Sequence, residues 1–134
     1  MLSREMEVAS TSDPHAKLVR YVQQIAEVAH RITTMVDMLR ATAPAQPDVA
    51  AFLEHLERGR REGALQLLGH GVPPGTWQNG MTPERVADIT FAIASPDTLR
   101  ALTERCGWSP HAAQTLVVTA LADAMLPNSQ PTTR

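Results

Sequence analysis

An all-α fold follows from three features of the 134-residue sequence. Leu18, Val22, Ile25, Ala29, Ile32, Val36 and Leu39 recur at alternating steps of four and three, which is one face of a helix. Thr82-Pro83-Glu84, Ser95-Pro96-Asp97 and Ser109-Pro110-His111 repeat one helix-start design within a short stretch. No segment alternates apolar and polar residues over a useful length, so no strand is expected. Together these predict an antiparallel bundle of about five helices in a single domain. The domain is placed at residues 13–127, after a flexible or partly helical lead-in at 1–12 and before a disordered tail at 128–134.

The first helix begins at Asp13-Pro14, with Asp13 as the cap and Pro14 where a missing N–H costs nothing. A second apolar stripe, Tyr21, Val28, Met35 and Met38, widens its buried face and predicts more than one neighbour. Arg20, Gln24, Glu27, Arg31 and Thr34 are left for solvent. The two prolines of Ala41–Pro47 predict a linker. A second long helix then starts at Asp48 or the residue before it, carrying Val49, Phe52, Leu53, Leu56, Gly63, Ala64, Leu67 and Leu68. Gly69–Gly80 holds four glycines and two prolines and reads as a loop, anchored by Val72 and Trp77. Helices are expected at Pro83–Ala94, Pro96–Arg105 and Pro110–Leu126, each capped by the hydroxyl before its proline. Glu84 and Asp97 add negative charge at positive helix ends. Val86, Ile89, Ile93, Leu99 and Leu102 are expected to face inward. Gly107 is expected to end the fourth helix as a left-handed residue, with Trp108 packing back over it.

Composition narrows the function. Hydrophobic residues make up 43% and charged ones 19%, and the net charge is −2, which gives no electrostatic pull toward nucleic acid or an anionic membrane. Cys106 is the only cysteine, so neither an intramolecular disulfide nor a cysteine metal site is expected. Glu27 and His30 form one Glu-x-x-His, where a di-metal bundle needs two plus further glutamates, so no metal or other cofactor is expected. No apolar run suits a membrane span and the start lacks signal-peptide order, which together predict a cytoplasmic protein.

The order Thr82-Pro83-Glu84, then Ala94-Ser95-Pro96-Asp97, then Arg105-Cys106-Gly107-Trp108-Ser109 and a final Leu-rich helix resembles the C-terminal domain of TetR-type transcriptional regulators. Cys106 stands between the arginine and the glycine, a departure from the family corner. The likeness spans roughly residues 10 to 127 and is most specific at 82–110. It implies a ligand chamber enclosed by the two long helices and a homodimer built through a four-helix interface near 83–94 and 110–126. No helix-turn-helix is legible, so direct DNA contact is not expected.

On that frame Tyr21, Met35, Met38, Phe52, His55, Leu56 and Arg60 are the candidate ligand-binding residues, lining an adaptable apolar chamber for a small apolar molecule or lipophilic acid. Arg60 sits on the apolar side of its helix, placed either to hold an anion or to pair with a carboxylate such as Glu57. Gly59 and Gly63 cost helix stability and suggest close backbone approach. The stripe Leu116, Val117, Ala120, Leu121 and Ala124 is the expected dimer contact. No catalytic residue is assigned. Two alternatives remain: a small biosynthetic or detoxifying enzyme using His30, His55 or Arg60 in the same chamber, and a dominant-negative partner of a full-length regulator.

Overall fold

A computed structural model describes residues 13–127, which hold α1 (Pro14–Thr42), α2 (Pro47–Ala64), α3 (Pro83–Ile93), a short α4 (Pro96–Arg100) and α5 (Pro110–Met125). The expected lead-in at 1–12 and tail at 128–134 lie outside the described residues. Among the described residues there is no strand, and the all-α expectation holds. No helix is long and apolar enough to cross a membrane.

Side chains start the helices as their residue types dictate. Asp13 accepts from the Ala16 N–H at 2.9 Å, and Thr82, Ser95 and Ser109 accept from Arg85, Thr98 and Ala112 at 3.1, 3.0 and 3.1 Å. Each cap is extended and each is followed by proline, so one orphan N–H is satisfied and another never exists. Between α1 and α2 the linker is shorter than the prolines suggest. Helix continues to Thr42, Ala43–Ala45 make one 3₁₀ turn, and only Gln46 is extended ahead of Pro47.

The second and fourth helices end by widening. Leu65–His70 and Ala101–Arg105 both adopt π geometry. The Cys106 N–H reaches back to the Ala101 carbonyl at 3.1 Å, and the Trp108 N–H to Leu102 at 2.9 Å, closing a Schellman-like end around Gly107 at φ +75. The extra residue in the turn lengthens the usual motif by one. Trp108, expected to pack back over this corner, is 40% exposed. In the loop, Trp77 is the anchor the sequence suggests. It is buried and donates its indole N–H to the Leu68 carbonyl at 2.8 Å, satisfying a carbonyl that the widened helix end leaves free.

The core sits at one end of the bundle. It gathers Leu18, Tyr21, Val22 and Ile25 of α1, Leu68 of the π turn after α2, Trp77 of the loop, Val86 and Ala87 of α3, Leu99 of α4, and Val117, Val118, Leu121 and Met125 of α5. Thr90 is fully buried beside them, its hydroxyl 3.8 Å from the Met125 sulfur. No residue of α1 beyond Ala29, and none of α2 before Ala64, is buried. The far half of the α1–α2 hairpin therefore carries its apolar residues outside the core, and the site lies there.

Val117 and Leu121 need correction as dimer contacts. They are at most 1% exposed within the protomer and fill its own core, because α5 packs directly along α1. Of the expected stripe, Ala120 and Ala124 are half-buried and only Leu116 stands exposed.

Candidate functional site

Where α2 folds back along α1, the two helices and the start of α4 enclose a cleft of about 290 Å³. Ile25, Val28, Ala29, Ile32 and Val36 of α1 form one wall, and Leu53, Leu56 and Arg60 of α2 the other. Pro96, Asp97 and Arg100 close the side toward α4. The α1 residues recur at steps of three and four, so one helix edge supplies the whole wall.

Three guanidiniums border this apolar space: Arg40, Arg60 and Arg100. Arg100 holds Asp37 in a bidentate pair at 2.9 and 3.0 Å and also reaches Glu104 at 3.3 Å. Those partners, Asp37 first, raise the Arg100 pKa further. Arg40 meets Asp97 at 3.1 Å. Both pairs bind the far half of α1 to α4, which holds the cleft's third side in place.

Arg60 is the most confined of the three. Its side chain is 13% exposed, its Nη1 donates to the Phe91 carbonyl at 2.8 Å, and its Nη2 pairs with Glu57 at 3.1 Å. Its guanidinium carbon lies 4.0 Å from the centroid of the Phe91 ring. The Nε–H is buried without an acceptor. Buried donors are normally paired, and this one, on a residue that lines the cleft, has no acceptor within the protomer. Arg61, the next residue, crosses to Asp88 of α3 at 2.8 Å.

The expected ligand-binding residues divide. Leu56 and Arg60 line the cleft. Tyr21 is buried in the core instead, close enough to Arg60 to feel its charge, and burial pushes its phenol up to about 12 against that partial pull. Met35, Met38 and Phe52 are 49%, 67% and 45% exposed and are not among the residues lining this cleft, while His55 is exposed on α2. The wall is built instead from the first stripe, Ile25 to Val36, with Leu53, Arg40 and Arg100 as further members. Val28 is the only one of the second α1 stripe to join it.

A second, wider groove of about 830 Å³ runs between α1, α4 and the start of α5, lined by Gln23, His30, Thr33, Arg100, Thr103 and Gln114 among others. His30 borders this groove and Arg60 the other cavity, so the polar groups a catalytic reading would use are not gathered. Among the described residues no group of three His, Cys, Asp or Glu side chains is placed to hold a metal ion. Compared with protein-family models, curated proteins and solved structures, the chain has no significant match to any.

Proposed function

We propose that this chain is a small-molecule-binding helical domain that takes a lipophilic acid in the α1–α2 cleft. The observation that carries this is the pairing of apolar walls with the buried, acceptor-less Nε–H of Arg60 at the same cavity. An alkyl chain against Ile32, Val36, Leu53 and Leu56 leaves water, and a carboxylate oxygen gives the guanidinium its missing acceptor. The three arginines of the lining are each paired with a carboxylate, so the preference for an acid head group rests on the Arg60 guanidinium and its unpaired Nε–H. The cavity is at the lower end of ligand-pocket sizes, which suits a single medium-length chain.

The effector-domain reading extends this proposal. The resemblance to TetR-type regulators implies a ligand chamber between the two long helices, and the position of the cleft between α1 and α2 supports that reading. In that role the domain senses a ligand, and the net charge of −2 leaves DNA contact to another part of an assembly.

Thermal unfolding with decanoate and decanol tests the binding claim. At a hundred times its dissociation constant, decanoate adds about 2.7 kcal/mol to the folded state. For a domain of this size that raises Tm by several degrees. Decanol, lacking the carboxylate, gives a smaller rise at equal concentration. Ile32→Trp fills the cleft from its wall and abolishes both. An unchanged Tm for the wild type, or the same rise in Ile32→Trp, removes the reading.

A further inference from the structure

The apolar cleft and the wider groove share a boundary: Ala29 and Thr33 of α1 and Arg100 of α4 border both. On α1, Ile25, Ile32 and Val36 wall the cleft, while Gln23, His30 and Thr34 wall the groove from a different side of the helix. Ala29 and Thr33 lie between these two sets, one turn apart. Ala29 has no side chain beyond its Cβ. The Thr33 hydroxyl donates to the Ala29 carbonyl, which draws that side chain down onto the helix. The boundary on α1 is therefore a low saddle. Its third member, Arg100, holds Asp37 one turn further along α1.

Arg100 is a movable member of that boundary. Its partners Asp37 and Glu104 are 47% and 58% exposed, so the guanidinium stays among carboxylates and water when it turns outward. The Arg40–Asp97 pair continues to hold α4 against α1 while it does so. The spaces on either side differ in kind and in size. At about 290 Å³ the cleft takes a medium-length chain, whereas the groove, at about 830 Å³, is nearly three times larger. Gln23, Thr34 and Gln114 bring uncharged donors and acceptors to the groove. Its carboxylates, Glu27 and Glu104, pair with Arg31 and Arg100, and Arg100 is already met by Asp37. The groove thus suits a neutral hydrogen-bonding group better than a second carboxylate.

We propose that cleft and groove are two halves of one site, whose ligand is a long-chain acid carrying a neutral hydrogen-bonding group at its far end, such as an ω-hydroxy fatty acid. This rests on the reading of the cleft as a lipophilic-acid site and names the ligand class more closely. Arg60 lies at the end of the cleft away from the α1–α2 turn, and Arg100 at the end near it. A carboxylate at Arg60 therefore directs the chain along Ile32 toward the saddle. The chain crosses over Ala29 and Thr33 as Arg100 turns outward, and the terminal hydroxyl meets the Gln23 and Gln114 amides beyond. A chain ending in a methyl group gains nothing from those amides and displaces water from them.

Isothermal titration calorimetry of the full chain with decanoate, palmitate and ω-hydroxypalmitate, each below its aggregation threshold, tests this. The ω-hydroxypalmitate should bind about threefold to tenfold more tightly than palmitate, the worth of one hydrogen bond. By NMR, the side-chain amide signals of Gln23 and Gln114 should shift at saturation with ω-hydroxypalmitate and stay in place with decanoate. Thr34→Trp, at an exposed position that borders the groove and not the cleft, should weaken ω-hydroxypalmitate by at least about tenfold and leave the decanoate Kd as in the wild type. Palmitate binding as tightly as its ω-hydroxy form, unmoved glutamine amides, or an unchanged ω-hydroxypalmitate Kd in Thr34→Trp overturns the two-part site. With decanoate still bound, any of these leaves the cleft reading standing. Absence of decanoate binding removes both.

Discussion

Tyr21 is the single tyrosine of the chain, which makes its ionisation directly visible. It is 2% exposed, and burial pushes its phenol from 10.0 up to about 12, with the Arg60 charge drawing it partly back. The folded pKa lies above the unfolded one, so the folded chain keeps a proton that the unfolded chain releases. The resulting stability is fully present below about pH 10 and is lost as pH rises toward 12. A difference of about two units at 1.36 kcal/mol each amounts to roughly 3 kcal/mol. That is a large fraction of the 5–15 kcal/mol typical of a folded domain. Lys17 acts with the opposite sign: desolvation lowers its pKa, so its loss of charge with rising pH relieves the fold. Two measurements isolate Tyr21. Tyrosinate absorbance should appear well above the pH of a free phenol, and urea unfolding across the alkaline range should show the stability loss in the wild type but not in Tyr21→Phe. A midpoint near pH 10 in the folded chain, or equal alkaline loss in Tyr21→Phe, refutes the reasoning.

Three substitutions probe the rest of the fold. Arg60→Ala leaves the Phe91 carbonyl without its donor and removes the cation over the Phe91 ring, so urea unfolding should show a loss of about 1–3 kcal/mol. Ser109→Ala removes the α5 cap and should cost about 1 kcal/mol by the same assay. Gly69→Ala forces a Cβ against the Pro83 carbonyl oxygen, so its melting temperature should fall although alanine is the better helix former.

Much of the bundle is legible in the sequence because its signals are local. Asp13, Thr82, Ser95 and Ser109 cap their helices as residue type and a following proline dictate. The apolar periodicity of α1 located its buried side for the first half of the helix. Beyond Ala29 the same periodicity says only that a face is apolar; whether core, cleft or partner covers it depends on where the other helices end. That is why Met35, Met38 and Phe52 read as chamber residues and stand exposed, while Ile32 and Val36 read as core and line the cleft. The α5 stripe misled in the opposite sense. Val117 and Leu121 lacked an evident upstream partner in the sequence, and α1 provides one in space. The π turns at Leu65–His70 and Ala101–Arg105 have no compositional signature. Arg60 was legible to within its alternatives. Pairing with Glu57 is present, and the contacts to Phe91 needed α3 in place.

The claim that the α1–α2 cleft binds a lipophilic acid is tested most directly by methyl-resolved NMR titration of the protein with decanoate. Saturable shifts should concentrate on Ile25, Val28, Ile32, Val36, Leu53 and Leu56, which line the cleft, with a matching shift of the Arg60 Nε–H as it gains its acceptor. Methyls of Val86, Val117 and Leu121, packed in the core away from the cleft, should move little. Shifts spread evenly over exposed methyls such as those of Met38 and Leu116, with the Arg60 Nε–H unmoved at saturation, would contradict the account.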